Sequence, residues 1–182
     1  MITVMIVDDQ RLLREGLQTI LQSEEGIEVA ALCGNGQEAV QTAARLRPKV
    51  VLMDIKMPVM DGLKAARLIR KFSDAAIVML TAYSEKEFVE QACAADAAAY
   101  VVKPVSEERL IPAIEVALRA RERLRSIENA ANERKLFERA KGMLMSRRGI
   151  SEEEAHRWLQ RESMDGGVPL SKVAERVLRG EL

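Results

Sequence analysis

The stretch "VVLMDIKMPVMDG", residues 50–62, ends an apolar run on an aspartate and follows it with a Met-Pro turn. An unbroken run of Val, Leu and Met reads as a strand buried on both faces, which leaves Asp54 at its carboxyl end. Four further apolar runs recur along the chain: "TVMIVDD", "IEVAALCG", "AAIVMLTA" and "AAYVVK". The segments between them carry apolar residues at helical spacing, such as Leu13, Leu17, Ile20 and Leu21, or Leu63, Ala66 and Ile69. Strands alternating with helices of this length predict right-handed βαβ units. The expected fold class is therefore α/β, a doubly wound five-stranded parallel sheet with helices on both faces.

The bulk numbers allow one domain, or one domain with a small appendage, in 182 residues. With 48% hydrophobic and 31% charged residues the chain suits a soluble protein with a core; only 3% are aromatic, so aliphatic side chains and Met must fill it. The net charge of zero is unevenly spread. Residues 1–118 hold 13 Lys and Arg against 17 Asp and Glu, and residues 119–182 hold 15 against 11. A basic second half is a candidate for a polyanionic partner. Cys33 and Cys93 match no metal spacing and read as reduced structural thiols. "MITVMIVDD" is too short an apolar run for a signal peptide, and no segment approaches the roughly 20 apolar residues that span a bilayer. The expectation is a cytoplasmic protein with no membrane partner.

After the fifth strand, "PVSEERLIPAIEVALRARERLRSIENAANERKLFERAKGMLMSRRG" is rich in Ala, Arg, Glu and Leu. It predicts one long helix of about 40 residues, with Ser106 as N-cap and Pro112 as the place for a kink. Charged residues interrupt every heptad register from Leu110 onward, so its middle reads as a helical linker in which coiled-coil pairing has weak support. Beyond Gly149, Ser151 and Glu154 form a capping box, and a helix with Ala155, Trp158 and Leu159 follows, stopping at Gly166-Gly167. A last helix starts near Pro169 and sets Leu170, Val173, Ala174 and Val177 on one face. The tail is thus a small three-helix bundle around Phe137, Leu144, Trp158 and Leu159.

In open α/β sheets, function gathers beyond the carboxyl ends of the strands. Those ends carry Asp8 and Asp9, then Asp54, Thr81 and Lys103. Three converging acids repel one another unless a cation neutralises them, and hard oxygen ligands suit Mg²⁺. A carboxylate beside such a metal can attack phosphorus while Thr81 and Lys103 bind the phosphoryl oxygens.

On "VDD" at 7–9, "MDIKMPVMDG" at 53–62, "LTA" at 80–82 and "YVVKP" at 100–104, residues 1–120 resemble the receiver domain of two-component response regulators. The resemblance implies the flavodoxin-like strand order 2-1-3-4-5 and Asp54 as phosphoacceptor. It implies Mg²⁺ held by Asp8, Asp9, Asp54 and the backbone carbonyl of Lys56, with Asp8 acting through water. Thr81 would sense the phosphoryl group, Lys103 would anchor it, and Tyr100 would be the switch aromatic. The Lys103–Pro104 bond would be cis, and a cognate sensor histidine kinase would supply the phosphoryl group. Lys56 and Tyr83, two residues after Asp54 and Thr81, would govern attack by water. One departure is "CAADAAAY", with alanine where the family often has glycine. "CGNGQEA", residues 33–39, imitates a dinucleotide fingerprint, but it follows the second strand and reads as a turn that starts a helix.

Between Arg134 and Arg148 there are six basic residues against one acid, and Arg134, Lys141 and Arg148 are seven apart. "FERAKGMLMSRRGISEEEAHRWLQRESMDGGVPLSKVAERVL", residues 137–178, resembles the ANTAR domain of transcription antitermination regulators. The resemblance implies a module over 134–182 that binds RNA stem-loops, with residues 121–133 as linker. It maps RNA contact onto Ala140, Lys141, Gly142 and Met145, with Arg134 and Arg148 nearby for phosphates. His156 stands where the family commonly has an aromatic and reads as an ordinary helix residue, and Trp158 reads as core.

The leading reading is a phosphorylation-controlled RNA-binding antiterminator that forms a homodimer when phosphorylated. A second keeps the receiver but has the tail bind DNA as a helix-turn-helix; the long link from Leu159 to Leu170 speaks against it. A third is a phosphohydrolase with Asp54 as nucleophile. Such enzymes commonly need an acid two residues on, where this chain has Lys56, so no enzymatic turnover is expected.

Overall fold

The structure, a computed structural model, describes residues 1–82 and 98–182. It divides into two units, Met1–Arg123 and Leu124–Leu182.

In the first unit β1 (Ile2–Val7), β2 (Ile27–Cys33), β3 (Val50–Asp54), β4 (Ala76–Thr81) and β5 (Ala99–Val102) form one parallel sheet in the order 2-1-3-4-5. Alternation along each strand feeds two cores. Met5, Val7, Val51, Met53, Ile77 and Met79 pack under α2 (Gly36–Leu46) and α3 (Gly62–Arg70). Val4, Ile6, Val50, Leu52, Val78 and Leu80 pack under α1 (Arg11–Gln22) and the start of α4 (Glu107–Arg148), through Leu17, Leu21, Leu110, Ile114 and Ala117. Both faces are covered, which is why β3 and β4 are apolar up to their carboxyl ends.

The register sets the functional rim. Val7 pairs Met53, so Asp8 and Asp54 follow at the same level; Asp54 pairs Leu80 and Leu80 pairs Val101, which carries Thr81 and Lys103 just beyond. The loop after Asp54 folds back tightly. A Cβ on Gly62 would sit 1.9 Å from the Asp54 carbonyl oxygen, and one on Gly36 would sit 2.5 Å from that of Met60, so only glycine fits at either place. Gly36 therefore serves the packing of α2 against this loop, while Asn35 caps the helix by accepting from the Glu38 N–H. No dinucleotide turn is needed to explain it. The Lys103–Pro104 bond is cis.

The helix α4 is continuous through Pro112 and ends at Gly149, whose φ of +67° is the left-handed conformation that favours glycine. In the second unit its final turns pack with α5 (Glu152–Gly166) and α6 (Leu170–Arg179) around Ala140, Leu144, Ala155, Leu159, Val173, Ala174 and Val177. Phe137 and Trp158 join that core from its edge. The Ser151–Glu154 capping box is formed in both directions. The connection between α5 and α6 is only Gly167–Pro169, because α5 continues well past Leu159. The length argument against a helix-turn-helix therefore does not hold.

Candidate functional site

Asp8, at the end of β1, is fully buried, Asp54 is 7% exposed and Thr81 5% exposed, whereas Asp9 is open to solvent. Carboxylate oxygens of Asp8, Asp9 and Asp54 all lie within 4.8 Å of one another. Lys103 reaches back from the end of β5 and places its Nζ 2.7 Å from Asp8 Oδ2 and 2.9 Å from Asp54 Oδ1. Asp8 is held by its neighbours: its Oδ1 accepts from the Gln10 N–H at 2.9 Å, and its carbonyl accepts from Arg14 Nη1 at 2.6 Å. A cleft of about 240 Å³ opens over this cluster, lined by Asp9, Asp54, Lys56, Thr81, Ala82 and Lys103 among others.

Burial is the largest influence on Asp54 and pushes its carboxyl above the ordinary range; the Lys103 hydrogen bond and charge oppose the rise, and the Asp8 charge adds to it. Burial works against the Lys103 ammonium, but hydrogen bonds to Asp8 and Asp54 outweigh it and raise its pKa. The site thus joins a basic, buried carboxylate, a second fixed carboxylate, an open third and a shared ammonium. That set can bind a hard cation and an oxyanion side by side.

Of the receiver residues expected from the sequence, Asp8, Asp9, Asp54, Thr81 and Lys103 gather at this rim, and Lys56 lines the cleft with its side chain exposed. Tyr100 lies on the edge strand β5 and is 49% exposed. Tyr83 and Cys93 fall outside the described residues.

The tail sorts its candidates differently. Arg134, Gly142, Met145 and Arg148 are exposed, and a Cβ on Gly142 would meet nothing within 4 Å. Ala140 is fully buried in the bundle core, so its side chain cannot face a ligand. Lys141 does not share an open basic face with Arg134 and Arg148, because its side chain is only 8% exposed. Its Nζ lies 2.7 Å from Glu152 Oε1 on α5 and 3.0 Å from Glu138 Oε2. The Glu152 and Glu138 hydrogen bonds raise the Lys141 pKa, and Lys141 in turn lowers that of Glu152. His156 packs edge-on against Phe137, with ring centroids 5.1 Å apart. The Arg148 guanidinium sits 4.5 Å above the Trp158 ring.

Contacts that escaped the sequence reading include the Lys141–Glu152 pair, the Arg148–Trp158 stack, and in the first unit the Arg121–Asp74 ion pair, in which Arg121 Nε also donates to the Asp74 carbonyl at 3.3 Å. Each joins residues whose periodicities are unrelated, so no spacing rule could have found it.

Comparison with known proteins agrees with this division. The family model of the response regulator receiver domain matches residues 4–115, and that of the ANTAR domain matches 125–178. The chain is 43% identical to the transcriptional regulatory protein PdtaR of Mycobacterium tuberculosis, over 96% of this chain and 88% of that protein. The signal receiver domain of the response regulator NarL from M. tuberculosis superposes with a TM-score of 0.62 at 26% identity, over 65% of this chain and 96% of that one. CheY in a CheX–CheY–BeF3–Mg²⁺ complex from Borrelia burgdorferi gives 0.58 at 28% identity, over 62% and 86%. Among the described residues no helix is long and apolar enough to cross a membrane. With these matches spanning both units, the chain belongs to the response regulators, a receiver domain joined to a C-terminal ANTAR domain.

Proposed function

We propose that this response regulator is switched by phosphorylation of Asp54 and acts by binding RNA stem-loops to cause transcription antitermination. The observation that carries the first half is the Lys103 ammonium bridging Asp8 and Asp54 at 2.7 and 2.9 Å. It fixes one Asp54 oxygen and leaves the carboxylate facing the cleft, where a phosphoryl donor can approach. Asp8, Asp9 and Asp54 fit Mg²⁺, with the Lys56 carbonyl as the further ligand that the receiver resemblance implies; the ion when bound would offset phosphate charge, and the relative bound in a BeF3–Mg²⁺ complex supports this. An Asp54 oxygen attacks the phosphorus of a histidine kinase's phosphohistidine, the P–N bond breaks, and an acyl phosphate forms. Lys103 and Thr81 then hold the new oxyanion, and Tyr100 on the adjacent edge strand reports the change. Nothing in this sequence of steps needs turnover, so the protein is a regulator and not an enzyme.

The domains in this reading are a receiver over 1–120, a helical linker over 121–133 and an RNA-binding module over 134–182. Arg134, Gly142, Met145 and Arg148 form its RNA face, and phosphorylation pairs two copies so that two modules act together. A second reading, recognition of duplex DNA, draws on the short Gly167–Pro169 turn and on Lys172, Arg176 and Arg179 exposed along α6. Gel shifts with tandem hairpin RNA and with duplex DNA at matched salt decide between them. RNA should bind more tightly after treatment with acetyl phosphate and Mg²⁺, and Asp54→Ala should lose both the phosphorylation and the gain. Labelling that persists in Asp54→Ala puts the phosphoacceptor elsewhere.

A further inference from the structure

The Lys141 side chain is buried in the C-terminal unit, and the two acids that neutralise its ammonium are not buried. Its side chain is 8% exposed, against 55% for Glu138 and 67% for Glu152. The ammonium also lies 5.5 Å from the centroid of the Phe137 ring. Glu138 and Lys141 belong to α4, whereas Glu152 opens α5 after the break at Gly149. The pair at 2.7 Å therefore ties two helices across a turn that has no other side-chain ion pair among the described residues. A phosphate approaching Nζ would meet the negative charge of both carboxylates at the rim. The local field repels the ligand that Lys141 would need.

We propose that Lys141 is a positioning residue: it fastens the first turn of α5 to the last turns of α4 and takes no phosphate itself. The surface it steadies is the one bearing Met145 and Arg148, whose guanidinium rests on Trp158 of the same α5. The proposal depends on the RNA reading for its purpose, while the fastening stands on geometry alone. It also carries an asymmetry. Replacing Lys141 by Met fills the same space and frees two acids that already reach water. Replacing both acids by Gln leaves the ammonium on its buried stem without countercharges, and that is the costlier direction.

The test uses the full chain with Lys141→Ala, Lys141→Met and the double variant Glu138→Gln/Glu152→Gln. Unfolding is followed by fluorescence of Trp158, the single tryptophan of the chain, so the signal comes from this unit. Affinity for a synthetic RNA of two tandem hairpins is titrated at several salt concentrations. Lys141→Ala should bind more weakly and Lys141→Met should recover most of the loss, with the slope of log affinity against log salt unchanged in both. The double Gln variant should melt below Lys141→Met. A salt slope reduced by about 1 in Lys141→Met, the signature of one lost phosphate contact, overturns the proposal. So does tighter RNA binding by the double Gln variant, or a Lys141→Met protein that melts below it. If the unaltered chain binds no RNA the antitermination reading falls, and the order of melting still decides the fastening.

Discussion

Gly62 and Asp54 touch backbone to backbone: the Gly62 N–H donates to the Ile55 carbonyl at 2.9 Å, and its Cα faces the Asp54 carbonyl with no room for a methyl group. The first residue of α3 thereby holds the candidate phosphoacceptor in place from behind. Gly62→Ala should push the Asp54 backbone or the helix start aside. We expect a loss of about 1–3 kcal/mol in stability, as for overpacking elsewhere, together with slowed phosphorylation by acetyl phosphate. Denaturant unfolding and phosphorylation time courses check both, and an Ala variant that matches the original in each removes this role.

Val59, in the same loop, stands at φ +66° with its side chain 79% exposed. A β-branched residue is strained there, and an exposed one gains little packing in return. Val59→Gly should therefore raise stability by roughly 1 kcal/mol or less, since the entropy glycine adds to the unfolded chain offsets part of the relief. A thermal midpoint that falls would show that the Val59 side chain has a partner worth more than the strain.

The capping box gives the second unit a dependence on acid. The hydrogen bond from the Ser151 N–H, followed by that from its hydroxyl, lowers the Glu154 pKa below the ordinary 4.5. A carboxyl depressed on folding stabilises above its unfolded pKa, and that contribution fades as pH falls through the folded value. Trp158 fluorescence should thus report a bundle that weakens below about pH 4.5, and Glu154→Gln should flatten that part of the profile. An unchanged profile in the variant would assign the acid sensitivity to other groups, such as Glu152 beside Lys141.

Lys56 lines the cleft with an exposed side chain long enough to cover a phosphoryl group on Asp54. Lys56→Asn should shorten the lifetime of the phosphorylated protein by opening a path for water. Loss of label over time, measured after removal of the donor, checks this; an unchanged or longer lifetime rejects it.

If phosphorylation pairs two copies, the gain in affinity must depend on the number of binding sites offered. One bundle on one hairpin makes few phosphate contacts, whereas two joined bundles on two hairpins profit from effective concentration. Phosphorylation should therefore raise affinity for a tandem-hairpin RNA far more than for a single hairpin. Equal enhancement in titrations at fixed salt would rule out pairing and leave RNA binding itself standing.

How much could be read beforehand follows from what each residue's pattern depends on. Met5, Val7, Val51 and Met53 form a run because both sheet faces are covered, so the strands and the acids at their carboxyl ends were visible in one dimension. The capping box and the face of Val173, Ala174 and Val177 were equally local. Lys141 was different. Its spacing from Arg134 and Arg148 gave the direction of the side chain, but not that the bundle and two acids close over it. In the sequence the distance between the core positions Leu159 and Leu170 speaks against a DNA-binding tail, and the extra turns of α5 between Leu159 and Gly166 remove that distance.

The slip in β2 bears on how copies of the chain can meet. Pairing with β1 passes from Val4–Val29 to Met5–Ala31, so Ala30 is an unmatched bulge in an outermost strand, and Glu28 nearby is exposed. Bulges and charges of this kind interrupt the row of amide and carbonyl groups on which a foreign strand would zip up. The opposite border, β5, offers only the four residues Ala99–Val102. Growth of the sheet from one molecule into the next, the usual route to fibrils, is therefore blunted on both borders. Helical surfaces suit orderly self-association better than either border of this sheet.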